Sequence, residues 1–260
     1  MQFDWIYLVA GLAVGFIVGL TGVGGGSLMT PILLHFGIAP SSAVGTDLLY
    51  AAITKAGGIY VHNKRGNINW KITGLLAMGS LPASAITLGV MHQIGFSSAG
   101  MNSFIKTALG CALIFTALAI IFKNKLLAYS HRNDVWVTRM TSSQQNIATI
   151  ITGVVLGAIV TITSIGAGAV GTVALFLLYP LLPTTKLVGT EIAHAVPLTL
   201  LAGLGHAGAG NVDWHLLLNL LAGSLPGIYI GSHLSSSVAD HYLRPALAGM
   251  LLFVGGKLVL

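Results

Sequence analysis

With 260 residues, 55% of them apolar and only 7% charged, the chain has too few water-facing groups to solvate a globule, because a soluble domain carries about 25% charged residues. A mean hydropathy of +0.88 makes the bilayer its natural solvent and excludes an ordinary soluble fold. The formal net charge of +6 would hint at nucleic acid in a soluble protein. Here the basic residues stand between apolar runs, where positive-inside orientation accounts for them and no nucleic-acid partner is implied.

Crossing the hydrocarbon core takes about 20 mostly apolar residues in a helix. The N-terminal Met1-Gln2-Phe3-Asp4-Trp5 lacks the basic region of a secretory signal, so residues 5–21 are expected to be a retained membrane segment. A glycine-rich break follows, then a short apolar piece at 27–37. Further spans are expected at 43–61, 71–91 and 103–122. The polar stretch 123–145 carries Lys123, Lys125, His131, Arg132, Asp134 and Arg139. After it come a span at 146–163, a second glycine-rich break, a second short piece at 169–182, and spans at 187–205, 214–232 and 242–260. The two short pieces are read as half-helices. The expectation is an all-α polytopic membrane protein in which 34 glycines let helices approach closely. Cys111 stands alone, which rules out an intrachain disulfide and a multi-cysteine metal site.

The chain aligns with itself. At an offset of 144, residues 44–82 match 188–226 at 13 of 39 positions. Val44-Gly45-Thr46 meets Val188-Gly189-Thr190, and Gly79-Ser80-Leu81-Pro82 meets Gly223-Ser224-Leu225-Pro226. Between them fall His62 with His206, Gly66 with Gly210, Asn67 with Asn211 and Trp70 with Trp214. A two-residue shift aligns Gly15 with Gly157, Thr21 with Thr163, Gly24 with Gly166 and Gly26 with Gly168. Shared hydrophobicity cannot place His, Asn, Trp and Pro in one register, so a duplication is inferred. Residues 1–122 form the first membrane repeat, 123–145 a basic linker loop, and 146–260 the second repeat. If residues 5–37 dip in and return as a hairpin, each half crosses an odd number of times and the repeats are inverted. Lys64, Arg65, Lys123, Lys125, Arg132, Arg139, Lys186 and Arg244 then share one side, as the positive-inside tendency favours. A parallel arrangement would place Lys186 and Arg244 outside.

Two constellations carry candidate chemistry. The first is the pair of breaks, Thr21-Gly22-Val23-Gly24-Gly25-Gly26-Ser27 and Thr163-Ser164-Ile165-Gly166-Ala167-Gly168-Ala169. Interrupted segments at corresponding positions of two halves point to a transporter site, with backbone N–H groups and half-helix ends facing an anion. Thr21, Gly22, Gly24, Gly25, Gly26, Ser27, Thr163, Ser164, Gly166 and Gly168 are the candidate substrate-binding residues. Tight helix packing is the plainer account of the same glycines. No Gly-Lys-Ser/Thr follows either break, which argues against a nucleotide loop.

The second constellation is ionisable: Asp47 and Lys55 in the first half, Glu191 with His194 in the second. Such groups inside membrane segments are functional candidates because they are costly there. Asp47 and Glu191 occupy equivalent places after Val-Gly-Thr, and Glu191 with His194 at i,i+3 could relay protons. The competing account puts both acids in first helical turns, compensating the helix dipole. Lys55 aligns with neutral Thr199 and lies deep enough to face an anion rather than snorkel. Pro82 and Pro226 are expected to kink their helices. His62, His206, Trp70 and Trp214 are read as interfacial. His35, His92, His131, His215, His233 and His241 show no metal-ligand spacing, and neither metal nor cofactor is expected.

In the order and duplication of the glycine-rich break, the Val-Gly-Thr-acid start and the Gly-Ser-Leu-Pro helix, the chain resembles the sulfite exporter TauE/SafE-like family over nearly its whole length. The resemblance implies secondary transport by alternating access, export or exchange, of sulfite, an organosulfonate or a related small anion, and fixes neither substrate nor direction. An ion gradient would power it, in the bacterial inner membrane. Its partners would be the anion and the lipid bilayer, with a homodimer left open. An intramembrane enzyme would need a nucleophile and base beyond the Glu191 and His194 pair. An anion channel would need neither duplicated breaks nor buried ionisable groups.

Overall fold

The structure is a computed structural model that describes residues 4–21, 26–96, 98–130, 140–234 and 240–259. Among them are ten helices: α1 (Trp5–Thr21), α2 (Gly26–His35), α3 (Pro40–Lys64), α4 (Trp70–Ile94), α5 (Ala99–Ser130), α6 (Ser142–Thr163), α7 (Ala169–Leu178), α8 (Thr184–Gly208), α9 (Trp214–Leu234) and α10 (Asp240–Val259). No strand occurs among the described residues. The all-α expectation holds. Large apolar side chains such as Ile86, Phe115 and Phe253 face outward, the reverse of a soluble surface and suited to lipid.

Among the described residues, four segments are long and apolar enough to cross a membrane on those grounds alone: Trp70–Ile94, Ala99–Phe122, Ser142–Thr163 and Thr184–Gly208. The helix over the expected 43–61 span reaches the length but is diluted by Asp47, Lys55, His62 and Lys64. The expected half-helices are present as α2 and α7, each of ten residues. At 1.5 Å per residue each reaches about half of a ~30 Å hydrocarbon core.

Local signals set the ends. Asn69 caps α4 by accepting from Ile72 N–H at 3.3 Å, and Thr141 with Gln144 forms a reciprocal capping box on α6. The helices α3 and α8 terminate alike. Gly66 and Gly210 take positive φ (67° and 76°), and Asn67 and Asn211 N–H each donate back to the carbonyl of His62 and His206 at 2.9 Å. This closure needs a left-handed residue, which glycine supplies. Two boundaries differ most from expectation: α7 stops at Leu178, short of 182, and α5 overruns. The polar stretch after 122 does not start a loop; α5 runs on to Ser130 because Lys, Asn, Leu and Ala are all tolerated in a helix. Residues 131–139 lie outside the described residues.

The pairing of helices follows the glycines. A Cβ on Gly15 would lie 2.7 Å from Ser224 Cα, and one on Gly157 would lie 2.8 Å from Ser80 Cα. The backbones of α1 and α9, and of α6 and α4, therefore touch at positions that only glycine permits. Leu8, Leu12 and Phe16 meet Gly223, Gly227 and Gly231 in turn, so α1 and α9 run parallel. Ile150 and Ser80 likewise meet Gly79 and Gly157, and α4 and α6 run parallel. At the centre, Gly45 packs on His206 and Asn211 while Gly189 packs on His62 and Asn67, so α3 and α8 lie antiparallel.

Each short helix doubles back beside its predecessor. The rings of Tyr7 and Phe36 meet edge-on at 5.8 Å, bringing the end of α2 to the start of α1. Gln145 donates to the Leu178 carbonyl at 2.6 Å, and the Thr149 and Tyr179 hydroxyls lie 2.7 Å apart, doing the same for α7 and α6. The bundle thus has two ends, one carrying Asp4, Pro40 and Gly208, the other Lys64, Ser142 and Thr184.

Candidate functional site

The antiparallel crossing of α3 and α8 buries most of the ionisable groups singled out above. Asp47 lies about two turns inside α3 and is fully buried; Glu191 lies equally deep in α8 at 3% exposure. Both are past the first turn, where dipole compensation has faded. That account of the acids is set aside. Asp47 Oδ2 accepts a hydrogen bond from the Thr30 hydroxyl of α2, and the Ser164 hydroxyl of the second break lies beside the carboxylate. Its Oδ1 makes no hydrogen bond of good geometry. Glu191 Oε1 is likewise unsatisfied and sits against the first turn of α7, where a Cβ on Gly171 would approach it to 3.4 Å. Two buried carboxylates thus hold unused acceptor capacity, which is costly unless a proton, cation or donor can reach them.

Lys55 lies about two turns beyond Asp47 on α3 and is half-buried. Its ammonium donates to the Ala167 carbonyl and stands within electrostatic range of Asp47, Glu191 and His194. His194 is fully buried; its Nε2 meets the Ser80 hydroxyl of α4 at 2.8 Å and its Nδ1 has no partner. At the aligned position of the first half, the Tyr50 hydroxyl lies beside Ser224 of α9.

The second break is buried from Thr163 to Ala167. The Thr163 hydroxyl donates to Ile159 at 2.7 Å and accepts from Ile165 N–H at 3.1 Å, turning the chain out of α6. Ser164 takes a left-handed conformation (φ 59°) and Gly166 has φ 121°, a value a side chain would strain. The Gly166 carbonyl then accepts from Gly168 and Gly171 N–H at 2.8 and 2.9 Å to start α7. In the first break, Thr21 ends α1 while Gly26 and Ser27 begin α2. Gly22, Gly24 and Gly25 lie outside the described residues.

Three participants were missed from sequence: Thr30, Ser80 and Ser224. The duplicated Gly-Ser-Leu-Pro motif held the clue to the last two, because each serine meets position 50 or 194 of the other half. His206 is also not interfacial. It is fully buried, its Nε2–H donating to the Thr161 carbonyl (3.0 Å) and its ring packed on Phe96 at 5.1 Å.

With this arrangement in view, similarity to known proteins becomes informative. The sulfite exporter TauE/SafE family matches residues 7–258. The chain belongs to this family. Its members include the probable membrane transporter protein YjnA of Bacillus subtilis, 41% identical over 97% of this chain and 98% of the relative. The probable membrane transporter protein YdhB of the same organism is 29% identical over 92% of the chain and 95% of its own length. The probable membrane transporter protein MJ0441 of Methanocaldococcus jannaschii is 28% identical over 98% and 97%. No solved structure matches the chain. As a TauE/SafE family member the chain is an integral membrane protein of a transporter family, in bacteria one of the inner membrane.

Proposed function

We propose that the chain is a secondary transporter that exports a small sulfur-containing anion, sulfite or an organosulfonate, by alternating access coupled to an ion gradient. The observation that carries this reading is the reach of Lys55 from α3 into the second break, at the crossing where Asp47, Glu191 and His194 are buried. A small oxyanion must exchange its hydration shell for donors of comparable strength. In this reading the donors are Lys55, the hydroxyls of Thr21, Ser27 and Ser164, and backbone N–H groups and half-helix ends beside Gly22, Gly24, Gly25, Gly26, Gly166 and Gly168, while Thr163, whose hydroxyl returns to Ile159, shapes the second break. Asp47, Glu191 and His194 carry the coupling ion. Residues 1–122 and 146–260 act as inverted repeats, a reading supported by the antiparallel α3 and α8 and by the doubling-back of α2 and α7.

The test is flux in proteoliposomes of sulfite, sulfoacetate, taurine and thiosulfate, with and without a pH gradient. Accumulation of one of these against its gradient is expected. Flux that stays passive under every gradient would identify a channel instead. Binding is tested by titrating sulfite into the Gly25→Val variant, where loss is expected, beside a Gly74→Val control. Gly74 has open space around its Cβ, whereas Gly110, superficially similar, would press on Val259 at 2.7 Å.

A further inference from the structure

The family reading leaves the coupling ion unnamed. Resting on that reading, we infer that Lys55 is a built-in counter-cation that takes the place of a metal cation, so that protons and not sodium drive this transporter. Oxygens from several elements stand near it: its ammonium donates to the Ala167 carbonyl of the unwound segment, and the carboxylates of Glu191 and of Asp47, the latter flanked by the Thr30 and Ser164 hydroxyls, lie within its electrostatic range. Such oxygen sets suit hard cations, and unwound carbonyls in transporter breaks commonly hold them. Here the carbonyl already accepts from an ammonium tethered to α3. An alkali ion at that place would face a fixed like charge across a few ångströms in a poorly screened setting.

The charges around the crossing then need one more positive unit. Two carboxylates face one ammonium, and each carboxylate keeps an oxygen without a hydrogen bond. A single proton on Asp47, Glu191 or His194 restores neutrality and requires no coordination space. The other groups facing the crossing, among the described residues, are the Tyr50 phenol on α3, hydroxyls from α2 (Thr30), α4 (Ser80), α9 (Ser224) and the second break (Ser164), and, toward the two ends of the α3 and α8 contact, the imidazoles of His62 and His206. Among the described residues, His35 and Lys106 line a separate cavity of about 690 Å³ beside α10. The ammonium has three donors, of which Ala167 takes one, leaving others for an entering anion. The arrangement is one-sided. Thr199, the counterpart of Lys55, turns back to the Ala195 carbonyl of its own helix at 2.9 Å.

The experiment compares the parent with Lys55→Ala, Lys55→Met and Lys55→Arg in proteoliposomes and in detergent. Sulfite accumulation by the parent should follow an imposed proton gradient and change less than about twofold when choline replaces sodium. Radioactive sodium should show no saturable binding to the purified parent. Lys55→Ala and Lys55→Met should lose proton-driven accumulation by about tenfold or more, as expected when one member of a buried charge set is removed. They should also gain saturable sodium binding, while Lys55→Arg should not. Sodium-stimulated transport or saturable sodium binding in the parent would overturn the inference. So would parent-like proton-driven accumulation in Lys55→Ala. If no anion moves in the parent under any gradient or in exchange, the transporter reading fails instead, and the sodium-binding comparison still decides the role of Lys55.

Discussion

Replacing Thr30 by valine removes one hydroxyl while keeping shape, and the structure says what that hydroxyl does. Thr30 is fully buried and donates to Asp47 Oδ2, itself fully buried. Water has no access with which to replace the lost donor. A hydrogen bond to a charged group contributes about 1.5–3 kcal/mol, and a buried acceptor left unsatisfied costs about 1–3 kcal/mol. Thr30→Val should therefore destabilise the protein by about 2 kcal/mol, and the loss should depend on Asp47. The measurement is unfolding in mixed micelles with rising dodecyl sulfate, followed by tryptophan fluorescence, for Thr30→Val, Asp47→Asn and the double variant. A coupling energy above about 1 kcal/mol is expected from the cycle. Thr152→Val serves as control, because its hydroxyl only returns to the Ala148 carbonyl of its own helix at 2.8 Å. Additivity of Thr30→Val and Asp47→Asn to within about 0.5 kcal/mol would refute the pairing of α2 with α3 through this bond.

Further outcomes follow from the same geometry. Gly157→Ala should destabilise by about 1–3 kcal/mol, since its Cβ would press on the backbone at Ser80, whereas Gly74→Ala should be neutral or better in the same micelle titration. Ser80→Ala removes the 2.8 Å partner of His194 and should cost about 1 kcal/mol in that assay; an unchanged midpoint would mean the contact contributes nothing. Glu191→Gln should abolish gradient-driven accumulation of sulfite while leaving sulfite binding by titration intact, and normal pH-dependent flux would remove Glu191 from the coupling role. After replacement of exposed Cys111, an impermeant thiol reagent should label Lys64→Cys and Gly208→Cys from opposite faces. These sites are exposed, whereas Asn211 is buried and a poor reporter. Labelling of both from one face would refute the membrane orientation drawn from the basic loops.

The sequence by itself determined the membrane setting, the places of the helices and the two short segments after glycine-rich breaks. Each rests on local composition: hydropathy over a run of residues, caps such as Asn69 and Thr141, and glycine punctuation. Its self-alignment also singled out Asp47, Glu191 and Lys55, because a charge stands out against an apolar run. It misjudged whatever depended on neighbours. His206 sits at a helix end, where an interfacial place is expected, yet Phe96 and the Thr161 carbonyl bury it. The polarity of the segment after Phe122 points to a loop, yet helix propensity there carries α5 on to Ser130. Only tertiary structure decided that Lys55 reaches Ala167, 112 positions away, that Ser80 meets His194, and that α1 packs on α9. Those contacts arise where helix backbones close to glycine-limited distances, and no periodicity along one helix records which distant helix fills the gap. Depth decided the acids as well. A carboxylate two turns into a helix is tolerable at an exposed end and costly at a buried crossing, and the crossing of α3 over α8 is a property of the bundle, not of either segment.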